Sequence, residues 1–205
     1  MLFSDTYKTI EGESQGLFKD RGSRFIALAL PVTSREEIKA RLAELRKEYH
    51  DARHHCFAWV LGPDRQAWRV SDDGEPSGTA GRPILAQINA RELTNVLIVV
   101  IRYFGGTLLG VGGLINAYRS ASADALDKAT MVEKYIMERW FVSFPYTSMN
   151  DVMKVLRDES CDQSEHRYSG TDVTVEINFR ASMADHITGR LKKISGLQMK
   201  WLATE

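Results

Sequence analysis

The chain has 205 residues, with 27 basic side chains balanced by 27 acidic ones and only two cysteines, Cys56 and Cys161. That length supports one large domain or two small ones, with a core that needs no disulfide. The neutral balance, even on both sides of Met131, excludes a strongly basic general nucleic-acid binder, and no apolar run approaches the ~20 residues of a membrane-spanning helix.

The opening residues MLFSDTYKTIEGES have neither the apolar core nor the basic leader of a signal peptide. Two isolated thiols fit a reducing compartment. A cytoplasmic protein without membrane association, cofactor or metal is expected. Ser23 to Leu30 reads as a strand. Ser34 with Glu37 has the spacing of a capping box, and Ile38, Leu42, Leu45 and Tyr49 fall on one face of the helix that follows. Cys56 to Leu61 and Gln66 to Val70 read as a hairpin around Gly62-Pro63-Asp64. A polar loop from Ser71 to Gly78 leads to a helix near Ile84 to Ala90. Val96 to Ile101 is six consecutive aliphatic residues, the mark of a strand buried on both faces. It ends in Arg102-Tyr103-Phe104, and five glycines follow: Gly105, Gly106, Gly110, Gly112 and Gly113. A helix is expected over 114–129.

The second part begins near Met131. Residues 132–144 read as one long strand and 146–158 as a helix, with Met149, Val152, Met153 and Leu156 on one face. Cys161 to Tyr168 is a weak strand. In Thr171 to Arg180, apolar residues at 173, 175, 177 and 179 alternate with polar ones. A helix marked by Ile187, Leu191 and Ile194 precedes a last strand over 197–202. The order β-α-β-β-α-β is that of a ferredoxin-like domain. The expected architecture is α+β in two domains, 1–130 and 131–205.

Three polar segments carry the candidate chemistry. The glycine-rich turn lacks the Gly-Lys-Ser/Thr of a Walker loop. It also misses the dinucleotide fingerprint, since position 115 is Ile115. Two readings remain. It is an anion pocket at a helix N-terminus, with Arg82, Arg102 or Arg119 as cations, or the glycines serve tight packing and positive φ. Asp72, Asp73 and Glu75 form an acidic cluster that fits a structural turn, a polar binding loop with Ser77 and Thr79, or oxygen ligation of a metal. His54-His55-Cys56 has zinc donor types, but neighbours on a strand face opposite ways and no second cluster completes a site. His54 or His55 facing the polar cleft is the alternative to both being satisfied within the fold. Arg102 at the end of a buried strand requires a carboxylate partner or solvent, and Tyr103 is grouped with it. In the second domain, Trp140 and Phe144 share one strand face and are candidates for base stacking, against the plainer reading as core.

Three blocks of this sequence resemble the YigZ/IMPACT family: Ala52-Arg53-His54-His55-Cys56; Ser71 through Gly81; and Val100 through Gly106 with Leu109 through Leu114. The resemblance spans residues 20–130. It implies, for the first part, the fold of the second domain of ribosomal protein five of the small subunit. For the second part it implies a domain similar to one of elongation factor G. Eukaryotic members regulate translation under stress, so the resemblance implies a translation-associated binding protein contacting the ribosome, RNA or a translation factor, with no defined catalysis. Gly22 departs from the family, whose members often carry lysine there. Arg21 or Arg24 would have to supply a basic side chain. The residues themselves also admit a small-ligand binder or an enzyme acting on a phosphate-bearing metabolite, or a protein–protein interaction module.

Overall fold

The computed structural model describes residues 5–204, so part of the leader reading above lies outside the described residues. Two compact units are present: Lys8–Lys134, and Tyr135 onward with the chain up to Tyr7. β1 (Thr6–Ile10) pairs with β7 (Met131–Tyr135) in a two-stranded sheet.

The first unit runs β2 (Ser14–Asp20), β3 (Ser23–Pro31), α1 (Arg35–Glu48), β4 (His54–Leu61), β5 (Ala67–Ser71), α2 (Gly81–Ala90), β6 (Val96–Tyr103) and α3 (Gly110–Asp127). Its sheet order is β2-β3-β6-β4-β5, with every neighbouring pair antiparallel. β6 is the middle strand, and alternate side chains serve two cores. Ile98 and Val100 join Phe25, Ala27, Cys56 and Ala58 beneath α2 and α3. Leu97, Val99 and Ile101 join Phe57 and Trp59 beneath α1. Helices on both faces explain why an antiparallel strand carries an unbroken aliphatic run. Each such side chain contributes about 1.5–3 kcal/mol on full burial.

Local chemistry sets the joins. Ser34 Oγ accepts the Glu37 N–H (3.1 Å) and caps α1. The Glu37 carboxylate reaches back to the Thr33 N–H (2.7 Å), one residue earlier than in a standard capping box. α3 lies against β2 because Gly16 has no side chain. A Cβ there would stand 2.3 Å from the Ala125 nitrogen. The helix expected from Leu114 begins at Gly110, so three glycines of the supposed loop form its first turn. β1 and β2 are strands that the sequence pattern does not announce.

The second unit runs β8 (Met137–Pro145), α4 (Met149–Asp158), β9 (Asp162–Gln163), β10 (Arg167–Ser169), β11 (Asp172–Arg180), α5 (Ala184–Leu191) and β12 (Gln198–Thr204). Its antiparallel sheet has the order β10-β11-β8-β12, with β9 also on β11. The long strand expected over 132–144 is divided at Ile136 into β7 and β8, and the weak strand over 161–168 is two short pieces. The alternation in β11 is as expected: Val173, Val175, Ile177 and Phe179 are buried with residues of α4 and α5. Among the described residues no helix is long and apolar enough to cross a membrane.

Candidate functional site

The adjacency of β4 and β6 brings the distant polar segments together, because His54 lies directly opposite Arg102. Period-two alternation sends both toward the α2/α3 side of the sheet. The same rule sends His55 and Tyr103 to the α1 side, away from the glycine-rich turn. His55 is buried near Arg46. Burial first, and then the Arg46 charge, hold its pKa below the ordinary value. The Tyr103 hydroxyl donates to Asp51 (2.8 Å), and the Arg24 guanidinium lies 4.6 Å from its ring centroid. Neither belongs to a shared recess with His54, which corrects the expectation for both.

The 71–80 loop is held by its own acids. The Asp72 carboxylate accepts N–H groups from Gly78 (2.8 Å), Ala80 (3.0 Å) and Gly81 (2.8 Å). It thereby caps α2, whose N-cap residue Ala80 offers no side-chain acceptor. Burial alone would raise the pKa of Asp72, but the three amides outweigh it and hold the carboxyl below its usual value. Asp73 (φ 41°) and Gly74 (φ 90°) turn the chain in the left-handed region. The Asp73 carboxylate accepts from Arg46 (2.7 Å) and from the His55 backbone N–H (2.7 Å). The Thr79 hydroxyl donates to the Pro76 carbonyl (2.6 Å), and Ser77 is exposed. Asp72, Asp73 and Thr79 are thus spent on loop architecture. Among the described residues no group of three or more His, Cys, Asp or Glu side chains is placed to hold a metal ion.

Beneath the loop lies a buried polar network. Glu75 accepts from Arg102 Nη1 (2.5 Å) and from the Tyr118 hydroxyl (2.7 Å). Only 7% of the Arg102 side chain and 4% of the Glu75 side chain are exposed, so each charge is neutralised by the other. The Cys56 thiol donates to the Asp72 carbonyl (3.0 Å) and contacts Tyr118 Oη (3.3 Å). Burial pushes the thiol and the Tyr118 hydroxyl far up, so both stay protonated at neutral pH. The Arg102 guanidinium sits 5.3 Å from the Phe25 ring and 5.6 Å from the Phe104 ring. Its Nε has no hydrogen-bond partner.

Above this network opens a recess of about 450 Å³. Arg53, His54, Gly74–Pro76 and Arg102 form its polar side. Phe104, Leu108–Val111 and Leu114 form its other wall. His54 Nδ1 lies 2.8 Å from the Asp73 carbonyl oxygen. A carbonyl only accepts, so Nδ1 carries a proton. Arg53 is exposed. The first turn of α3 adds amide groups, for its N-cap residue Leu109 supplies no side-chain hydrogen bond. Gly110 has φ 72°, and no atom crowds the Cβ position of Gly112. Gly113 shares that turn, but neither Gly112 nor Gly113 lines the recess. The helix end contributes about 0.3–1 kcal/mol toward an anion.

The five glycines therefore divide in purpose. Gly105 is pure packing, since a Cβ would fall 1.9 Å from the Gly22 carbonyl carbon. Gly106 (φ 87°) turns the chain. Gly22 itself has φ 80°, and a Cβ there would meet the Gly105 oxygen at 2.8 Å, which explains the glycine at this position. In the second unit, Phe144 is sealed in the core and Trp140 packs against that core, its indole N–H donating to Glu138 (2.7 Å). Neither presents the open ring expected for base stacking.

The sequence reading missed Tyr118, Arg53 and the apolar wall. Tyr118 carried a signal, since Leu114, Ala117, Tyr118 and Ala121 follow helical spacing and a hydroxyl on that buried stripe must find a partner.

Comparison with known proteins identifies the family. The family model described as the Impact N-terminal domain matches residues 21–126. The chain is similar to the IMPACT family member YigZ of Escherichia coli, 40% identical over 136 residues, covering 65% of this chain and 67% of that protein. It is also similar to the IMPACT family member YvyE of Bacillus subtilis, 34% identical over 164 residues, covering 80% and 76%. Among solved structures it is similar to a hypothetical protein at 31% identity, with a TM-score of 0.76 over 99% of this chain and 100% of that one. The chain belongs to the IMPACT family.

Proposed function

We propose that this protein is a non-catalytic binding protein of the translation apparatus, and that the recess of its first unit receives an anionic group of RNA, the ribosome or a translation factor. The likeness to translation regulators supplies the setting. The observation that carries the reading is the recess itself. Arg53, His54 and Gly110 at the start of α3 face one opening, above a Glu75–Arg102 pair that leaves no net charge of its own. The Cys56 thiol and the Tyr118 hydroxyl, buried in the network beneath it, are held protonated by burial, which disfavours covalent catalysis by either of them. Co-sedimentation with ribosomes at low and at moderate salt tests the reading. The wild type should travel with ribosomes at low salt and less so at moderate salt, and Arg53→Glu should weaken the association. A protein that stays at the top of the gradient in both conditions overturns the proposal.

A second reading, a small-ligand binder for a phosphate-bearing metabolite, is favoured by the apolar wall of Phe104, Leu109 and Leu114 beside Arg53, since small-ligand sites are mostly apolar with a few placed polar groups. A thermal-shift screen with nucleotides and sugar phosphates separates the two. Stabilisation without ribosome association supports the ligand, and no stabilisation by any compound removes it.

A further inference from the structure

The opposite face of the same sheet carries a second feature that the recess does not use. A groove of about 420 Å³ runs between α1 and the β4–β5 hairpin. Ile38, Leu42, Phe57 and Trp59 give it an apolar floor, and Arg35, Lys39 and Arg69 line it as well. Arg69 lies opposite Trp59 in the β4–β5 register, which sends it to the α1 side. The Arg35 guanidinium is 5.8 Å from the Trp59 ring centroid. Trp68 stands at the sheet edge, 56% exposed. No carboxylate lines the groove, and among the described residues none of the three cations is paired with one. β5 is also the last strand of the sheet, so its outer row of backbone N–H and C=O groups faces no described strand. The sequence Ala67-Trp68-Arg69-Val70-Ser71 contains neither the proline nor the lysine that usually blunts a free edge.

We propose that the α1–β5 groove docks an acidic segment of a protein partner, added in extended form to the free edge of β5. The edge offers main-chain hydrogen bonds to a polypeptide. Alternate side chains of the added strand turn toward the groove, where carboxylates meet Arg35, Lys39 and Arg69, and the aromatic and aliphatic residues between them turn to the other face beside Trp68, which lies opposite Val60. A nucleic acid matches the charge but has no amide ladder to pair with β5.

Fluorescence anisotropy on the full chain tests this, with the labelled peptide acetyl-Glu-Val-Asp-Phe-Glu-Val-Asp-amide as probe. Saturable binding that weakens with salt is expected. It should weaken by at least about tenfold in Arg35→Glu/Arg69→Glu, in which two attractions become repulsions. Both residues are exposed, so circular dichroism should be unchanged. If that variant unfolds, Lys39→Glu and Trp68→Ala take its place. The same peptide N-methylated at alternate residues keeps its charge but cannot complete the ladder, and should bind poorly. Equal binding of the methylated peptide, equal binding by the folded variants, absence of saturable binding, or tighter groove-dependent binding of an oligouridylate would each overturn the proposal. Ribosome association of Arg35→Glu/Arg69→Glu, read in parallel, reports on the recess and not on the groove.

Discussion

At the scale of single residues, Glu75 and Arg102 are the pair whose disruption costs most. Removing one partner strands a charge that has almost no access to water. Glu75→Gln or Arg102→Met alone is expected to destabilise the first unit by about 3–5 kcal/mol. The double variant should recover much of that loss, because no buried charge remains. Urea denaturation of the three variants checks this, and additive losses would contradict the coupling. Asp72 works differently, as an acceptor for three amides that no other side chain serves. Asp72→Ala is expected to cost about 1–3 kcal/mol through loss of a helix cap. Its pKa is lower in the folded protein than the ordinary 3.8. The stabilisation it gives is therefore present above pH 3.8 and lost as pH falls through that region toward the folded value. His55 is also depressed below its ordinary 6.5, through burial and the neighbouring Arg46. The unfolded chain takes up that proton first as the solution is acidified. Stability is thus full above about pH 6.5 and declines below it. His55→Phe should flatten that limb of the stability profile, and an unchanged slope would show that His55 does not produce it.

Among the elements, α3 is held by contacts that depend on absent side chains. Gly16 allows β2 to meet the Ala117-Ala121-Ala125 face of the helix, and Gly16→Val should be destabilising by well over the ~1–3 kcal/mol of ordinary overpacking, because the crowding atoms are backbone. Gly112 is the contrasting case. It lies in the first turn of the same helix with open space at its Cβ position. Gly112→Ala should leave the fold intact and stabilise it by up to about 1 kcal/mol through helix propensity. It should leave ribosome association unchanged, since Gly112 does not line the recess. Thermal denaturation and the ribosome assay check the two expectations separately. A loss of stability would mean that the glycine is required by the helix.

For the molecule as a whole, the first unit has a hydrophobic core on each face of its sheet, and the second has its own. A fragment covering residues 8–134 is expected to unfold cooperatively, with one transition shared by fluorescence and circular dichroism. A broad, non-cooperative transition would show that the unit needs the rest of the chain.

Much of the architecture was legible in the sequence because it follows from periodicity. The unbroken aliphatic run of β6 requires burial on both faces, and β11 announces its sheet by strict alternation. The Ser34 cap and the Gly62-Pro63-Asp64 turn are local chemistry. β1 and β2 were not legible: β2 places a glycine where a strand usually carries bulk, and its reason, the backbone of Ala125, lies more than a hundred residues away. The site was half legible. Residue types pointed to His54, Glu75, Arg102 and the glycines, since charged and flexible positions cluster where a loop has work to do. Which carboxylate neutralises Arg102, that Asp72 and Asp73 serve the loop itself, and that His55 and Tyr103 turn away were decided only in three dimensions. Those outcomes depend on strand register and on which polar groups burial leaves without water, and neither quantity exists until the sheet has formed.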